Sequence, residues 1–456
     1  MRRHVLAGRL GALDRTDIST EVGEVMTRLD LVASNKRLDF GIGAALDDLK
    51  KIGVFPSEIG LDLLVLAAHV YAADTRISRL TESQDTWTRE IRLVVPVSDP
   101  ARWAAATVVL KHMLDFLTGD RWTISFRARP VGFAQMVPVR ASRDVKPGFD
   151  GVALFSGGLD SLVGTIDLLE QGATPLLVSH AGEGATSQAQ NACFDGLKQQ
   201  YKDRPFDRLR VWMSFPKDLV RGVAAEDTTR GRSFLFFAIG ILAGMGLGDD
   251  FALRVAENGL ISLNVPLDRL RLGSLSTRTT HPFYLSLWGD LLAALEIAGR
   301  IETPYWNKTK GEMLAGCANQ NLLRQLLSKS LSCSSPSKGR WQGRTTGHCG
   351  YCLPCLIRRA AIDRAFGRGN DPTPYAIQDL TARILNTRQS EGEQVRSFQF
   401  AIDRVQSRPN LARLVIHKPG PLSSESSSRL DALADVYRRG MGEVADLLVG
   451  VRTAPI

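Results

Sequence analysis

Six consecutive residues, Ser156-Gly157-Gly158-Leu159-Asp160-Ser161, gather two glycines, two hydroxyls and a carboxylate into one short stretch. The apolar run Val152, Ala153, Leu154, Phe155 ahead of them reads as a buried strand. Behind them Leu162, Ile166 and Leu169 fall on one face of a helix. A strand that turns on glycines into a helix is a ready anion site. The first-turn N–H groups have no intrahelical partner and carry the positive end of the helix dipole. Gly157 and Gly158 let the backbone curl around a phosphate, and the hydroxyls of Ser156 and Ser161 add donors. The GxxxxGK[ST] spacing of a Walker A loop, with its lysine, is missing. Asp160 either orients the loop, helps to hold magnesium, or caps the helix.

A second cluster is made of cysteines. Cys333, Cys349, Cys352 and Cys355 follow the pattern C-x15-C-x2-C-x2-C. Thiolates two residues apart in a tight turn reach one ion together, and Gly350 and Pro354 suit such turns. Four thiolates close the coordination shell, so the metal expected is a structural zinc. An iron–sulfur cluster and a redox pair are the rival readings. His348 stands beside the set as a replacement ligand or a supporting group, and Cys193 and Cys317 read as buried thiols.

The elements that must position these groups follow from periodicity. Strand and helix patterns alternate from Val152–Phe155 through Leu176–Ser179, a helix near Gln188–Lys202, Leu209–Met213, a helix Phe234–Met245 and Phe251–Ala256. That alternation predicts an α/β fold with a parallel sheet covered on both faces, its ligands lying beyond the carboxyl ends of the strands. Glu257-Asn258-Gly259 follows one such end, either as substrate contacts or as an Asn-Gly turn. Residues 1–145 read as an independent α/β unit. Its helical repeats are Leu61, Leu64, Val65, Ala68 and Trp103, Ala106, Leu110, Leu114, Leu117. Its strands are Ile91, Leu93, Val95, ending at Pro96, and Trp122, Ile124, Phe126. His69, Asp74 and Arg79 there either line a site or, the reading preferred, are solvated or capping groups. Arg140–Asp150 is a linker, residues 150–368 are the core, and residues 369–456 form a helical tail. Its last helix opens on Ser428 with Asp431 and buries Leu430, Leu433, Tyr437, Met441, Val444 and Leu448.

With 456 residues, 44% hydrophobic and 23% charged, the chain is long enough for two or three ordinary globular domains. Its net charge of +9 favours acidic partners, nucleotides first and nucleic acid second, but no Lys/Arg block occurs. The longest apolar run, Phe234 to Gly248, is shorter than the roughly 18 residues of a membrane span and is broken by glycines. Arg9 interrupts the apolar run behind the basic N-terminus, so no signal peptide and no membrane are expected, and the compartment expected is cytoplasmic.

The six-residue stretch resembles the SGGxDS pyrophosphate loop of the N-type ATP pyrophosphatases, which cleave ATP between the α and β phosphates. Ser332-Cys333-Ser334, Cys349-Gly350-Tyr351-Cys352-Leu353-Pro354-Cys355, Arg358 and Arg359 resemble the zinc motif of 7-cyano-7-deazaguanine synthase. Pro304-Tyr305-Trp306-Asn307-Lys308-Thr309-Lys310-Gly311-Glu312-Met313 is similar to that family's proline-to-TKxE segment, and Arg230-Gly231-Arg232-Ser233 to its arginine-bearing turn. The resemblance covers residues 150–368. It implies the adenine nucleotide α-hydrolase-like fold, ATP, Mg2+ and Zn2+ as cofactors, and Lys310 and Arg232 beside the phosphates.

Two departures bear on the substrate. The family's Tyr-Gly-Gln after its second strand is here His180-Ala181-Gly182, with Gln188 further on. Its substrate-binding stretch is replaced by Leu260–Pro282, including Ser276-Thr277-Arg278-Thr279-Thr280-His281-Pro282. Glu257, Asn258 and His281 are the substrate contacts expected, and the acceptor differs from free carboxy-deazaguanine or equals it. The long architecture is similar to the deazaguanine-synthase-like proteins of bacterial anti-phage defence operons of the Qat type. The reaction implied is adenylation of a carboxylate, with release of pyrophosphate, then attack by ammonia or an amine. Two other readings are a tRNA- or DNA-modifying pyrophosphatase and a nucleotide-sensing, non-catalytic subunit of a defence complex.

Overall fold

The computed structural model describes residues 2–32, 37–141, 148–182, 184–226, 230–248, 250–268, 278–337 and 346–456. Residues 142–147 of the linker, residues 269–277 of the rewritten stretch (Ser276 and Thr277 among them), and residues 338–345 of the cysteine loop lie outside the described residues.

The architecture is α/β, built on two parallel sheets. The first comprises β1 (Arg3–Arg9), β2 (Glu24–Asp30), β3 (Glu90–Val97) and β4 (Arg121–Ala128) in the order β2-β1-β3-β4. The second comprises β5 (Gly151–Leu154), β6 (Pro175–His180), β7 (Asp207–Val211), β8 (Phe251–Arg254) and β9 (Gly299–Glu302) in the order β7-β6-β5-β8-β9. Side chains alternate between the two faces of β5. Val152 and Leu154 join one hydrophobic cluster, Ala153 and Phe155 another, so this sheet is buried on both sides as its apolar strands require. The order is compatible with a Rossmann-like core, and it reverses between β5 and β8, where such sheets open a ligand crevice.

The sequence reading needs four corrections in the first region. β3 continues through Pro96 to Val97. Its pairing with β1 has already ended at Val94, so one side of the strand has no ladder for the missing N–H to break. The helix from Trp103 to Leu117 is two, Pro100–Ala105 and Thr107–Thr118, broken at Ala106. Nor is the region independent. The helix Glu58–Arg76 lies against Arg232–Met245 of the core, and one hydrophobic cluster runs from Leu6 and Leu64 to Phe234 and Leu154. Being enclosed between two layers, that helix is apolar on nearly every side.

His69, Asp74 and Arg79 are buried rather than solvated. His69 packs under Gly8 of β1 and bonds through Nδ1 to Val65 O, and burial lowers its pKa to about 4, so the ring is neutral.

Three helices of the C-terminal region, Ser390–Ser407, Leu411–Val415 and Ser427–Leu447, form a third cluster with the helix Leu353–Phe366. Ser426, not Ser428, caps Ser427–Leu447 by accepting from Arg429 N at 3.2 Å, while Asp431 pairs with Arg413. No helix among the described residues is long and apolar enough to cross a membrane.

Candidate nucleotide site and metal centre

The turn after β5 is shaped by Gly157, whose φ of 78° is a left-handed conformation that a side chain resists. A Cβ there would also meet the backbone N of Gln190 at 2.8 Å. Gln190, itself buried, donates through Nε2 to Ser156 O at 3.4 Å and to His180 O at 3.1 Å, tying the turn to the end of β6. Ser156 Oγ accepts from Gly158 N at 3.2 Å, and Ser161 Oγ donates to Gly158 O at 3.0 Å. The helix Leu159–Glu170 then starts with no side-chain cap. Its first-turn N–H groups are therefore left for a ligand, as an anion site requires.

Asp160, on the first turn, does not cap. It is buried, its Oδ1 lying 3.1 Å from Lys310 Nζ and its Oδ2 accepting from Asn258 Nδ2 at 2.9 Å. Lys310 is placed by its own helix start. Thr309 accepts from Glu312 N, and the Glu312 carboxylate accepts from Thr309 N at 2.9 Å, a reciprocal cap that fixes the intervening lysine. Asn258 works twice: Oδ1 caps the helix Gly259–Leu263 through Ile261 N while the amide reaches Asp160. The turn reading and the functional reading of Asn258 thus coexist in one side chain.

Glu257 completes the group through its bond with Asp160. Burial, followed by that bond and by repulsion from Asp160, pushes the Glu257 carboxyl well above its usual value. Burial would also raise Asp160, but Lys310 and the bonds from Glu257 and Asn258 reverse this and hold it below the usual range. The two carboxyls are thus pushed in opposite directions, Glu257 toward its protonated form and Asp160 toward its ionised form beside the lysine. Asp160 is thereby engaged by Lys310 and Asn258 on its two oxygens.

Arg232 arrives from the other side of β5. Its Nε donates to His180 Nδ1 at 3.3 Å at the end of β6, and a Cβ on Gly182 would meet its Nη2 at 2.8 Å. His281 does not join this assembly. It is buried at the start of the helix Pro282–Ala294, where Nδ1 accepts from Phe283 N, and its ring packs on Phe116. Burial and the nearby Arg278 lower its pKa to about 3, so it is an uncharged cap.

The cysteines converge as their spacing predicts. The four Sγ atoms lie within 4.8 Å of one another, with Cys333 to Cys352 and Cys349 to Cys355 both at 3.9 Å. A tetrahedron with Zn–S bonds of about 2.3 Å has S···S edges of about 3.8 Å, so the set fits a single ion such as zinc. Gly350, at φ 88°, makes the tight turn that lets Cys352 N donate to Cys349 Sγ at 3.3 Å. His348 is outside the ligand set, its Nε2 accepting from Ser332 N at 3.0 Å.

This centre also braces the glycine turn after β5. Arg358, fully buried on the helix Leu353–Phe366, donates to Leu327 O at 2.6 Å and to Ser330 Oγ at 2.8 Å. Leu331 N, next along, donates to Gly157 O at 2.9 Å.

Sequence reading missed the C-terminal contribution. Glu443 accepts from Gly311 N at 3.3 Å and from the Thr309 hydroxyl, and Arg439 pairs with Glu312. The tail therefore holds the turn that carries Lys310. The only signal for this in the sequence is the Thr309-x-x-Glu312 capping pattern, which marks a helix start but not its distant support. In comparisons with known proteins, no family model matches the chain, and no curated protein matches it.

Proposed function

We propose that the protein is an ATP-dependent ligase of the N-type ATP pyrophosphatase kind, which adenylates a carboxylate on a deazaguanine-like substrate for attack by ammonia or an amine. The observation that carries this reading is the Lys310–Asp160 ion pair beside the uncapped helix start at the reversal of the strand order. Residues 150 apart in sequence thereby set a cation next to an anion-binding turn. The comparison of strand order with a Rossmann-like core supports the adenine nucleotide α-hydrolase-like fold.

In this reading the substrate carboxylate oxygen bonds to the α-phosphorus of ATP and the bridge to the β-phosphate breaks. The free amides of Leu159 to Ser161 and the Lys310 ammonium hold the departing pyrophosphate. The amine then bonds to the activated carbonyl carbon, loses a proton, and AMP leaves with the C–O electron pair. Asp160 orients Lys310 and Asn258 rather than touching the phosphates. Magnesium bound with the triphosphate would supply its counter-charge, and Cys333, Cys349, Cys352 and Cys355 would hold zinc as a structural staple. A cytoplasmic enzyme of an anti-phage defence system, with operon-encoded protein partners, is the setting this proposal carries from the resemblance.

The test is incubation of the protein with ATP, magnesium and carboxy-deazaguanine, with small-molecule and protein products weighed by mass spectrometry. AMP with an amide, nitrile or conjugate supports the proposal. ADP as the sole nucleotide product refutes it.

A further inference from the structure

The first region holds a buried cluster of charges that the proposed reaction does not use. Asp74, Arg79, Arg89 and Asp120 are almost completely buried. Asp120 accepts from both arginines, at 2.5 Å from Arg79 Nη1 and 2.7 Å from Arg89 Nη2. Asp74 Oδ1 accepts from Arg89 Nη2 at 3.0 Å and from Arg79 Nη2 at 3.2 Å. Two arginines and two aspartates balance, so the cluster as a whole is neutral. One oxygen is turned elsewhere: Asp74 Oδ2 accepts from Gly231 N at 2.7 Å, across 157 residues.

Gly231 immediately precedes Arg232, and the turn is held on both sides. Arg230 donates to Thr118 O at 2.9 Å and lies over the Trp87 ring at 3.9 Å. A Cβ on Gly231 would meet Asp74 Oδ2 and Val70 at 3.3 Å, so the two backbones approach closely. Tyr71, one helical turn before Asp74, packs edge-on against His180 with ring centroids 5.4 Å apart. His180 is the group that receives Arg232 Nε. The helix Glu58–Arg76 therefore fixes both the backbone before Arg232 and the imidazole that orients its guanidinium. The Nη groups of Arg232 have no protein acceptor among the described residues, which leaves the planar fork for an anion.

We propose that Asp74 is a positioning residue for Arg232, so that the N-terminal region sets the affinity of the strand-end crevice for a phosphate-bearing ligand. This rests on the phosphate-turn reading above and extends it to a part of the chain for which the sequence suggests no role. A carboxylate suits the task because both of its oxygens accept, Oδ1 from the arginines and Oδ2 from Gly231 N–H. An amide in its place presents a donor either to the arginines or to Gly231 N–H.

The test is titration of the full-length protein with inorganic pyrophosphate, by calorimetry, for wild type, Asp74→Asn, Arg232→Ala and the double variant, with melting temperatures recorded. Each single substitution is expected to weaken binding about tenfold, and the double variant to be no weaker than Arg232→Ala, because both act through one guanidinium. Additive losses, or unchanged binding by Asp74→Asn, overturn the proposal while leaving the phosphate turn intact. Wild-type protein that binds no pyrophosphate overturns the phosphate turn itself and this inference with it. If Asp74→Asn does not fold, Gly231→Ala presses the same contact from the other side. Weaker pyrophosphate binding at a near-normal melting temperature then supports the proposal, and unchanged binding overturns it.

Discussion

The two parallel sheets share a topological feature and finish it differently. Strand order reverses between β1 and β3 in the first sheet and between β5 and β8 in the second, and each reversal opens a crevice beyond the carboxyl ends. In the first sheet the crevice is filled from within. Asp14 accepts from Leu10 N at 2.9 Å and pairs with Arg127. Asp62 accepts from Ser98 N at 2.8 Å and Trp103 Nε1 at 3.1 Å, and pairs with Arg129. In the second sheet Asp160 meets Lys310, but the uncapped helix start and the Arg232 fork have no protein acceptor among the described residues. Topology makes the crevice. Incomplete neutralisation is what makes it a candidate site.

The largest effects should separate the two crevices. Lys310→Ala is expected to cut AMP and pyrophosphate formation at least about 100-fold, with zinc content unchanged, because it removes a cation at the growing pyrophosphate charge. Asp62→Ala should instead leave Arg129 with Glu58 as its remaining carboxylate and strip Ser98 N and Trp103 Nε1 of their acceptor, costing about 1–3 kcal/mol of stability in denaturant titrations and sparing turnover. If Asp62→Ala abolished AMP release at normal stability, the contrast between the sheets would be wrong.

Next in size is the metal centre. Cys352→Ser or a strong chelator should remove about one zinc per chain and lower the melting temperature sharply, because a closed thiolate set contributes directly to folding. Pyrophosphate binding should fall with it, through Arg358, Leu331 and Gly157. A metal-free protein that melts normally would leave the cluster without a structural role.

Glu257 gives a smaller effect that depends on pH. Its folded-state pKa is raised, chiefly by burial and by Asp160, above the ordinary value of 4.5. Between those two values the folded state holds more protons than the unfolded chain, so the contribution of Glu257 is full below the ordinary value and declines as pH rises. Glu257→Gln removes that decline. Melting curves from about pH 5 to 8 should show the variant gaining on wild type as pH rises. A constant difference between the two would mean that Glu257 is ionised in the fold.

How much of this was legible depends on how far apart the cooperating residues lie. The glycine turn and the cysteine set are each written within a few dozen residues, where spacing alone fixes geometry. Four of the five core strands follow from alternation with helices, as expected for apolar runs buried on both faces, whereas the edge strand Gly299–Glu302 is half-exposed and carries no apolar run to betray it. Asp74 and Glu443 carry no local signal. One acts on Gly231 and the other on Gly311, contacts that exist only once the chain has folded. His281 misled for the opposite reason. Its neighbours Arg278 and Pro282 look like a polar binding stretch, whereas the imidazole is occupied as a helix cap.

The last comparison lies within the C-terminal clamp on Lys310. Arg439 and Glu312 are each about a third exposed, at 36% and 33%, so solvent screens their ion pair and Arg439→Ala should cost under about 1 kcal/mol. Glu443 is more enclosed, and burial raises its pKa despite its bonds to Thr309 and Gly311. Glu443→Ala would leave Gly311 N and the Thr309 hydroxyl without an acceptor, costing about 1–3 kcal/mol. Those donors flank Lys310, so the loss should also raise the KM for ATP severalfold with a smaller change in kcat, because a loosened lysine still reaches the charge once ATP is bound. Equal effects of the two variants on stability and KM would mean that the clamp acts by general packing rather than through the lysine turn.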